Sequence, residues 1–287
     1  GQGGLLDVAL DPEFSSNRVL YLSFAEARSD GAATSVGRGR LNGEVTALEE
    51  FEIIFRQQPA VPGGNHFGSR LAFSPEGHLF VTLGERFDYM QQAQDPTNHL
   101  GTVVRINPDG SVPQDNPFID GEGADEVWSY GHRNVQGAAI HPETGALWTA
   151  EFGPSGGDEV NIPQAGENYG WPVVSHGRHY SGQQIPDPSS QPEFADAIYF
   201  WDPAISPSGI AFVTSDLFPQ WQGDLLLGGL SSQAIVRLDL EGNEAVGDER
   251  IEMGVRIRDV LFGPEGQLYA LVDGPDSPII RLTPADN

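Results

Sequence analysis

Short apolar runs separated by glycine and proline turns dominate the chain. LLDVAL (5–10), VLYLSF (19–24), RLAF (70–73), HLFVTLG (78–84), TVVRI (102–106), ALWTAE (146–151), DLLLGGL (224–230), AIVRLDL (234–240), QLYALV (267–272) and IIRL (279–282) are rich in Val, Leu, Ile and aromatic residues. Runs of this length bounded by turn residues predict β-strands. No amphipathic helix of convincing length is visible. Glycine (36) and proline (22) are scattered along the 287 residues rather than clustered, which again favours many short strands and turns.

The strands recur in a fixed order: an apolar strand, a proline-containing turn, then an apolar strand ending in a small or acidic residue. LLDVALDPEFSSNRVLYLSFAE, RLAFSPEGHLFVTLGE and GAAIHPETGALWTAEFG are three such units, SGIAFVTSDLFPQWQGDLLLGGL is a looser fourth, and IRDVLFGPEGQLYALVD a fifth. Pro12, Pro75, Pro142 and Pro264 occupy equivalent turn positions. The spacing exceeds the roughly 40–50 residues of common propeller repeats, so each blade carries insertions. A β-sandwich needs no such repeated sentence, whereas radially repeated four-stranded sheets produce it and leave few exposed edges. The expectation is therefore an all-β fold, a single β-propeller domain spanning residues 1–287. Five units are counted; either the ring has five blades or an N-terminal blade is missing, and the abrupt start at Gly1 favours the second expectation.

Charge narrows the partners. The chain carries 41 acidic against 15 basic residues, a formal net charge of −26, and every basic residue is arginine. Such a surface repels nucleic acid and anionic membranes. It suits high ionic strength, where self-repulsion is screened; drift in a GC-rich genome also trades lysine for arginine, and both readings stand. Without lysine there is no Schiff base, and without cysteine no disulfide, thiolate ligand or thiol nucleophile. No run approaches the roughly 20 apolar residues of a membrane span, so membrane insertion is not expected.

Several polar residues sit where strand and turn chemistry alone does not call for them. His66 lies in GGNHFGSRLAF, on a glycine-rich turn before a strand, where the backbone can aim an imidazole into a cavity; an ordinary loop histidine fits the same stretch. Gln2 stands among glycines in GQGGLLD. Glu85 and Arg86 end the strand that follows His66. Arg133 and Asn134 are adjacent in WSYGHRNVQG, and a long loop holds Gly153, Pro154, Asp158, Glu159 and Tyr169. Arg256 and Arg258 stand two apart in VRIRDV, on one face if that stretch is extended. Each has a bland reading as turn residue, carbonyl partner or solvated charge. In a chain so short of cations, however, arginines gathered beside a candidate site imply an anionic guest, because guanidinium forks suit carboxylates and phosphates. No phosphate-binding glycine motif is present, which argues against a nucleotide. The other six histidines (His78, His99, His132, His141, His176 and His179) read as turn or surface residues without metal-ligand spacing.

Taken in order, GQGGLLDVALDP, GRGRL, GNHFGSRLAF, LGE, AQD, WSYGHRNVQG, GPSGGDEVNIP, NYGWP, YSG, SPSGIAF, FPQW and RIRDV resemble the soluble aldose dehydrogenases of the glucose/sorbosone dehydrogenase family over essentially the whole chain. The resemblance implies a six-bladed β-propeller, about five blades of which are present here. It also implies pyrroloquinoline quinone (PQQ) and calcium as cofactors, an aldose substrate, an external electron acceptor and a periplasmic or secreted location. His66 matches the family's general base, a role that needs a group titrating near neutrality. Glu85 matches a carboxylate orienting it, and Arg133 completes the implied catalytic set. Gln2, His66, Arg133, Asn134, Arg256 and Arg258 match positions that contact PQQ, a tricarboxylate. The carbonyls of Gly153 and Pro154 match ligands of the PQQ-bound calcium, and Glu159 with the backbone at Tyr169 a second calcium site; oxygen ligation suits a hard cation. One departure is Ser231 in GGLSSQ, where members often carry a lysine that contacts the cofactor.

Two other readings remain open at this stage. A calcium-dependent lactonase on a propeller would need carboxylate and Asn side chains converging on a central cation, and would have no need of paired arginines in RIRDV. A non-catalytic propeller binding module would have no reason to keep His66, Arg133, Arg256 and Arg258 together.

Overall fold

The computed structural model describes residues 1–284 and is built almost wholly of antiparallel strands; among the described residues the only α-helix is the single turn Phe14–Asn17. Five sheets follow one another along the chain. The first contains β1 (Leu5–Leu10), β2 (Val19–Arg28), β3 (Gly31–Leu41) and β4 (Leu48–Arg56), and the second β5 (Gly68–Phe73), β6 (Leu79–Leu83), β7 (Thr102–Ile106) and β8 (Val127–Tyr130). The third contains β9 (Val135–Ile140), β10 (Leu147–Glu151), β11 (Asp158–Asn161) and β12 (Tyr199–Trp201), and the fourth β13 (Pro207–Phe212), β14 (Leu225–Gly229), β15 (Ala234–Glu241) and β16 (Glu244–Glu252). The fifth has three strands, β17 (Ile257–Phe262), β18 (Leu268–Val272) and β19 (Ile279–Leu282). Within each sheet spatial order follows sequence order. These are propeller blades, the all-β class that the repeated units imply, and each unit read from the sequence is the first strand pair of one blade.

The turn in each unit has a local cause. Proline pre-sets φ for a turn position, and a residue with positive φ closes it. In the second blade Gly77 (φ 88°) does so, with its N–H donating to the Ser74 carbonyl at 2.9 Å. Gly145 (φ 72°) and Gly266 (φ 83°) repeat the device in the third and fifth blades. The first blade uses the helical turn instead, ended by Arg18 at φ 59°.

Contacts divide the chain into two compact units. One comprises Gly1–Val135, Pro163–Ser175 and Pro186–Ala195; the other comprises Gln136–Ile162, His176–Ile185 and the chain from Asp196 onward. The first unit holds blades one and two around Tyr21, Val36, Phe55, Leu79, Val81, Leu83, Val104 and Ile106. The second holds blades three to five. In it, β14 is buried along its whole length: Leu225 and Leu227 pack with Trp148, Phe212 and Val236, while Leu226 packs with Ile235, Ile257, Val260 and Leu268. A strand covered on both faces reads as a continuous apolar run, which is why LLL appears there without alternation. Each such leucine contributes about 1.5–3 kcal/mol by leaving water.

Two strands are poorly announced by their sequence. β3 (GAATSVGRGRL) carries glycines that ordinarily weaken strands. A Cβ on Gly37 would fall 2.3 Å from the Phe51 ring, so the glycine makes room for an aromatic of the neighbouring strand. β16 (EAVGDERIE) is an outer strand whose charged side chains face solvent, so it lacks an apolar signature.

Candidate active site

In the first unit, His66 stands at the end of the loop leading into β5, with φ 51°. Its Nδ1 lies 2.6 Å from Oε2 of Glu85. A carboxylate only accepts, so Nδ1 carries the hydrogen, and in the neutral ring Nε2 keeps its lone pair; no described residue hydrogen-bonds Nε2. The Glu85 oxygen also accepts from Phe87 N at 3.0 Å, and the Phe87 ring meets the imidazole edge-on at 5.0 Å. His66 and Glu85 are 5% and 1% exposed, so the pair is held out of water. A histidine oriented by a buried carboxylate, with its second nitrogen open, is a general-base arrangement.

The backbone around this pair is tightly built. His66 N donates to Gln2 Oε1 at 2.8 Å, and Gln2 N donates to Gly64 O at 2.6 Å. Gly84 is required here: a Cβ on it would lie 2.2 Å from the His66 carbonyl oxygen. Asn134 Oδ1 accepts from Gly68 N at 3.1 Å, and Glu85 N donates to Arg133 O at 3.0 Å. Gln2, His66, Glu85, Arg133 and Asn134, predicted from scattered motifs, are thus brought together. Arg133 is buried with its guanidinium 5.2 Å from the centre of the Trp171 ring.

In the second unit, Arg256 and Arg258 do share a face. Both grip Asp273: Arg256 Nε donates to Oδ2 at 2.8 Å, while Arg258 Nε and Nη2 donate to Oδ1 at 3.1 and 3.0 Å. Arg258 Nη1 also donates to Gln136 Oε1 at 2.9 Å. Burial pushes the Asp273 carboxyl up, but the two guanidinium partners outweigh it and hold it below the usual carboxylate range. Both arginines keep substantial solvent contact.

Gly153 opens a curled loop in the same unit. A Cβ there would lie 2.2 and 2.3 Å from the carbonyl oxygens of Gly156 and Gly157, so the residue must be glycine for the carbonyl-rich turn to close. Asp158 staples this loop, accepting from Gly153 N through Oδ1 at 2.9 Å and from Ile205 N and Ser206 N through Oδ2 at 2.8 and 2.7 Å. On β10 and β11, Glu151 stands directly opposite Glu159, and the Asn161 amide donates to both carboxylates at 3.1 and 3.3 Å. Asn161 Oδ1 is buried with no partner. Loss of hydration, with the Glu151 carboxylate next, pushes the Glu159 carboxyl well above the usual range. Two carboxylates and an orphan amide oxygen form a donor set that a hard cation would satisfy. Tyr169, in the first unit, stacks on His132 at 4.7 Å and donates its N–H to Tyr130 O at 2.9 Å. Among the described residues, no three His, Asp or Glu side chains form a ready-made metal cage.

The profile of the Glucose / Sorbosone dehydrogenase family matches residues 1–281. This chain belongs to that family. The aldose sugar dehydrogenase YliI of Escherichia coli K12 is 44% identical over 290 residues, covering 99% of this chain and 78% of that protein. The crystal structure of the soluble aldose sugar dehydrogenase from Escherichia coli in the apo-form superposes with a TM-score of 0.91 at 43% identity, covering 99% of this chain and 82% of that one. The PQQ-bound form of the aldose sugar dehydrogenase from Streptomyces coelicolor gives a TM-score of 0.78 at 30% identity, covering 98% and 80%.

For this glucose/sorbosone dehydrogenase family member, motif reading missed four structural parts of these two groups of residues. Asp273, Gln136, Gly84 and the internal placement of Arg86 are visible only once strands are paired. An acidic residue 15 positions beyond Arg258 signals nothing until β17 and β18 lie side by side. The histidines also differ from the surface reading: His99, His132 and His141 are buried, because they stand where strands enter or leave the blades. Ser231 is exposed and donates to the Ala204 carbonyl at 3.2 Å, a shorter reach than a lysine there would have. No helix among the described residues is long and apolar enough to cross a membrane.

Proposed function

We propose that this chain oxidises the anomeric carbon of aldose sugars to lactones with PQQ and calcium, delivering electrons to an external acceptor. The observation that carries the proposal is the 2.6 Å contact from His66 Nδ1 to the buried Glu85 carboxylate, which leaves Nε2 open. When bound, PQQ with its calcium supplies the hydride acceptor. The chain's part is to take the proton. His66 Nε2 removes it from the anomeric hydroxyl, and Glu85 stabilises the imidazolium that forms, as an orienting carboxylate does in hydrolytic triads. Phe87, 39% exposed, walls one side of the imidazole and limits water around it.

The residues present fit the cofactor. PQQ is a tricarboxylate, and Arg256 and Arg258 offer guanidinium donors preset by Asp273 and Gln136. Gln2, Arg133 and Asn134 supply further polar groups beside His66. Gly153 and Pro154 would offer carbonyls to the PQQ calcium, and Glu159 would serve a second calcium. A periplasmic or secreted location accompanies this reading. Reconstitution tests it: the purified chain with PQQ and calcium is followed by dye reduction over a panel of aldoses. Turnover that needs both cofactors and is lost in His66→Ala supports the proposal. A folded protein that binds no PQQ under any condition refutes it.

A further inference from the structure

Among the described residues, Arg86 is the one arginine that is 0% exposed. Its guanidinium reaches no carboxylate of the described residues. Nε donates to Asn65 O at 2.9 Å, Nη2 to Gly63 O at 2.6 Å, and Nη1 to Ala32 O. The guanidinium carbon lies 3.8 Å from the centre of the Phe67 ring. Its own backbone N–H donates to the His66 carbonyl at 3.3 Å. Residues 63, 65, 66 and 67 are thus all held by one side chain and its peptide. Arg86, Phe87 and His66 also have φ values of 67°, 68° and 51°, a cluster of left-handed non-glycine residues. Such a cluster persists only where the surroundings fix it.

A buried guanidinium is an expensive way to hold a loop. Burial pulls its pKa below the ordinary arginine value, and the neighbouring Glu85 carboxylate opposes that effect. A neutral side chain could not bind three carbonyls at once in a fixed fork, which is what distinguishes arginine here. Two of the carbonyls it binds, those of Gly63 and Asn65, belong to the loop that leads directly into the residue whose imidazole must meet Glu85.

We infer that Arg86 is a positioning residue for the reaction: it clamps the 63–67 loop so that His66 Nδ1 meets Glu85 and Nε2 faces the substrate. The inference rests on His66 being the base. It adds a role for an arginine that touches neither substrate nor cofactor. Misplacing a catalytic group by about 1 Å can cost 10²-fold, so the Arg86→Met enzyme should lose roughly 10–100-fold in kcat with KM for the sugar little changed.

The decisive readout needs neither sugar nor quinone. In the full chain, the strongly hydrogen-bonded Nδ1–H of His66 gives a downfield proton resonance, assigned by its loss in His66→Gln. The expected result is that this resonance disappears or moves upfield in Arg86→Met, and in Arg86→Lys to a smaller extent, while the remaining histidine signals stay in place. If Arg86→Met does not fold, Arg86→Lys decides alone. An unchanged His66 resonance in a folded Arg86 variant overturns the inference, even if that variant melts earlier, because loss of stability alone would mean a merely structural arginine. Failure of sugar oxidation in the wild-type chain would count against the proposed function and leave this readout standing.

Discussion

Nδ1 of His66 and Oε2 of Glu85 are 2.6 Å apart, although 19 residues and the whole β5–β6 hairpin separate them in sequence. The hairpin returns the chain so that the residue before β5 and the residue after β6 face each other. General-base catalysis contributes about 10²–10⁴-fold, so His66→Ala should lower kcat by that order. Glu85→Gln should cost less. Its amide oxygen can still accept from Nδ1–H and keep Nε2 open, but it no longer carries the charge that stabilises the imidazolium. Steady-state kinetics of the reconstituted chain would check both.

Asp273 presets the arginine pair. Asp273→Asn should weaken equilibrium PQQ binding, measured by quenching of protein fluorescence, because Arg256 and Arg258 lose their shared anchor. The substitution also has a pH signature. The carboxyl is held below its unfolded value, near 3.9 for Asp, so its contribution to stability is present above about pH 4. It is lost as pH falls through the depressed folded value. The pair is partly exposed, so about 1 kcal/mol or less is expected. Denaturant midpoints of wild type and Asp273→Asn should therefore differ by a small constant amount at neutral pH and converge in acid.

Glu159 and Glu151 repel each other across a strand pair unless a cation or a proton intervenes. Calcium should raise the melting temperature, and at 100 times its dissociation constant the linkage is worth about 2.7 kcal/mol. Glu159→Gln should melt higher than wild type in chelator and gain less from added calcium. Scanning calorimetry with and without calcium measures both differences. Equal calcium responses in the two proteins would remove Glu159 from the site.

A net charge of −26 without a single lysine makes self-repulsion a large term at low ionic strength. Screening grows as the Debye length shrinks from about 10 Å at 0.1 M to about 3 Å at 1 M. Melting temperature should therefore climb with potassium chloride across that range. A flat response would favour compositional drift as the origin of the lysine-free surface.

Much of the architecture is legible along the chain. A buried strand is a local object: its apolar run, its proline and its turn glycine lie within about 20 residues, as in RLAFSPEGHLFVTLGE. That is why the first strand pair of every blade is found from the repeated units. β3 and β16 escape because their support is not local; Gly37 only makes sense beside Phe51, and β16 only beside β15. The arginines show the same division. Arg86 and Arg258 are both strand-end cations in sequence, yet one is sealed beneath the His66 loop and the other is tied to Asp273 and only partly buried.

The sequence by itself determined the class of fold, the blade count, the family and the identity of the oriented histidine, because apolar periodicity, turn chemistry and ordered motifs are written in neighbouring residues. Contacts that the motifs do not announce come only from the fold: Asp273 collects two arginines and Arg86 turns inward to three carbonyls, because strand pairing and loop closure bring together groups that no spacing along the chain relates.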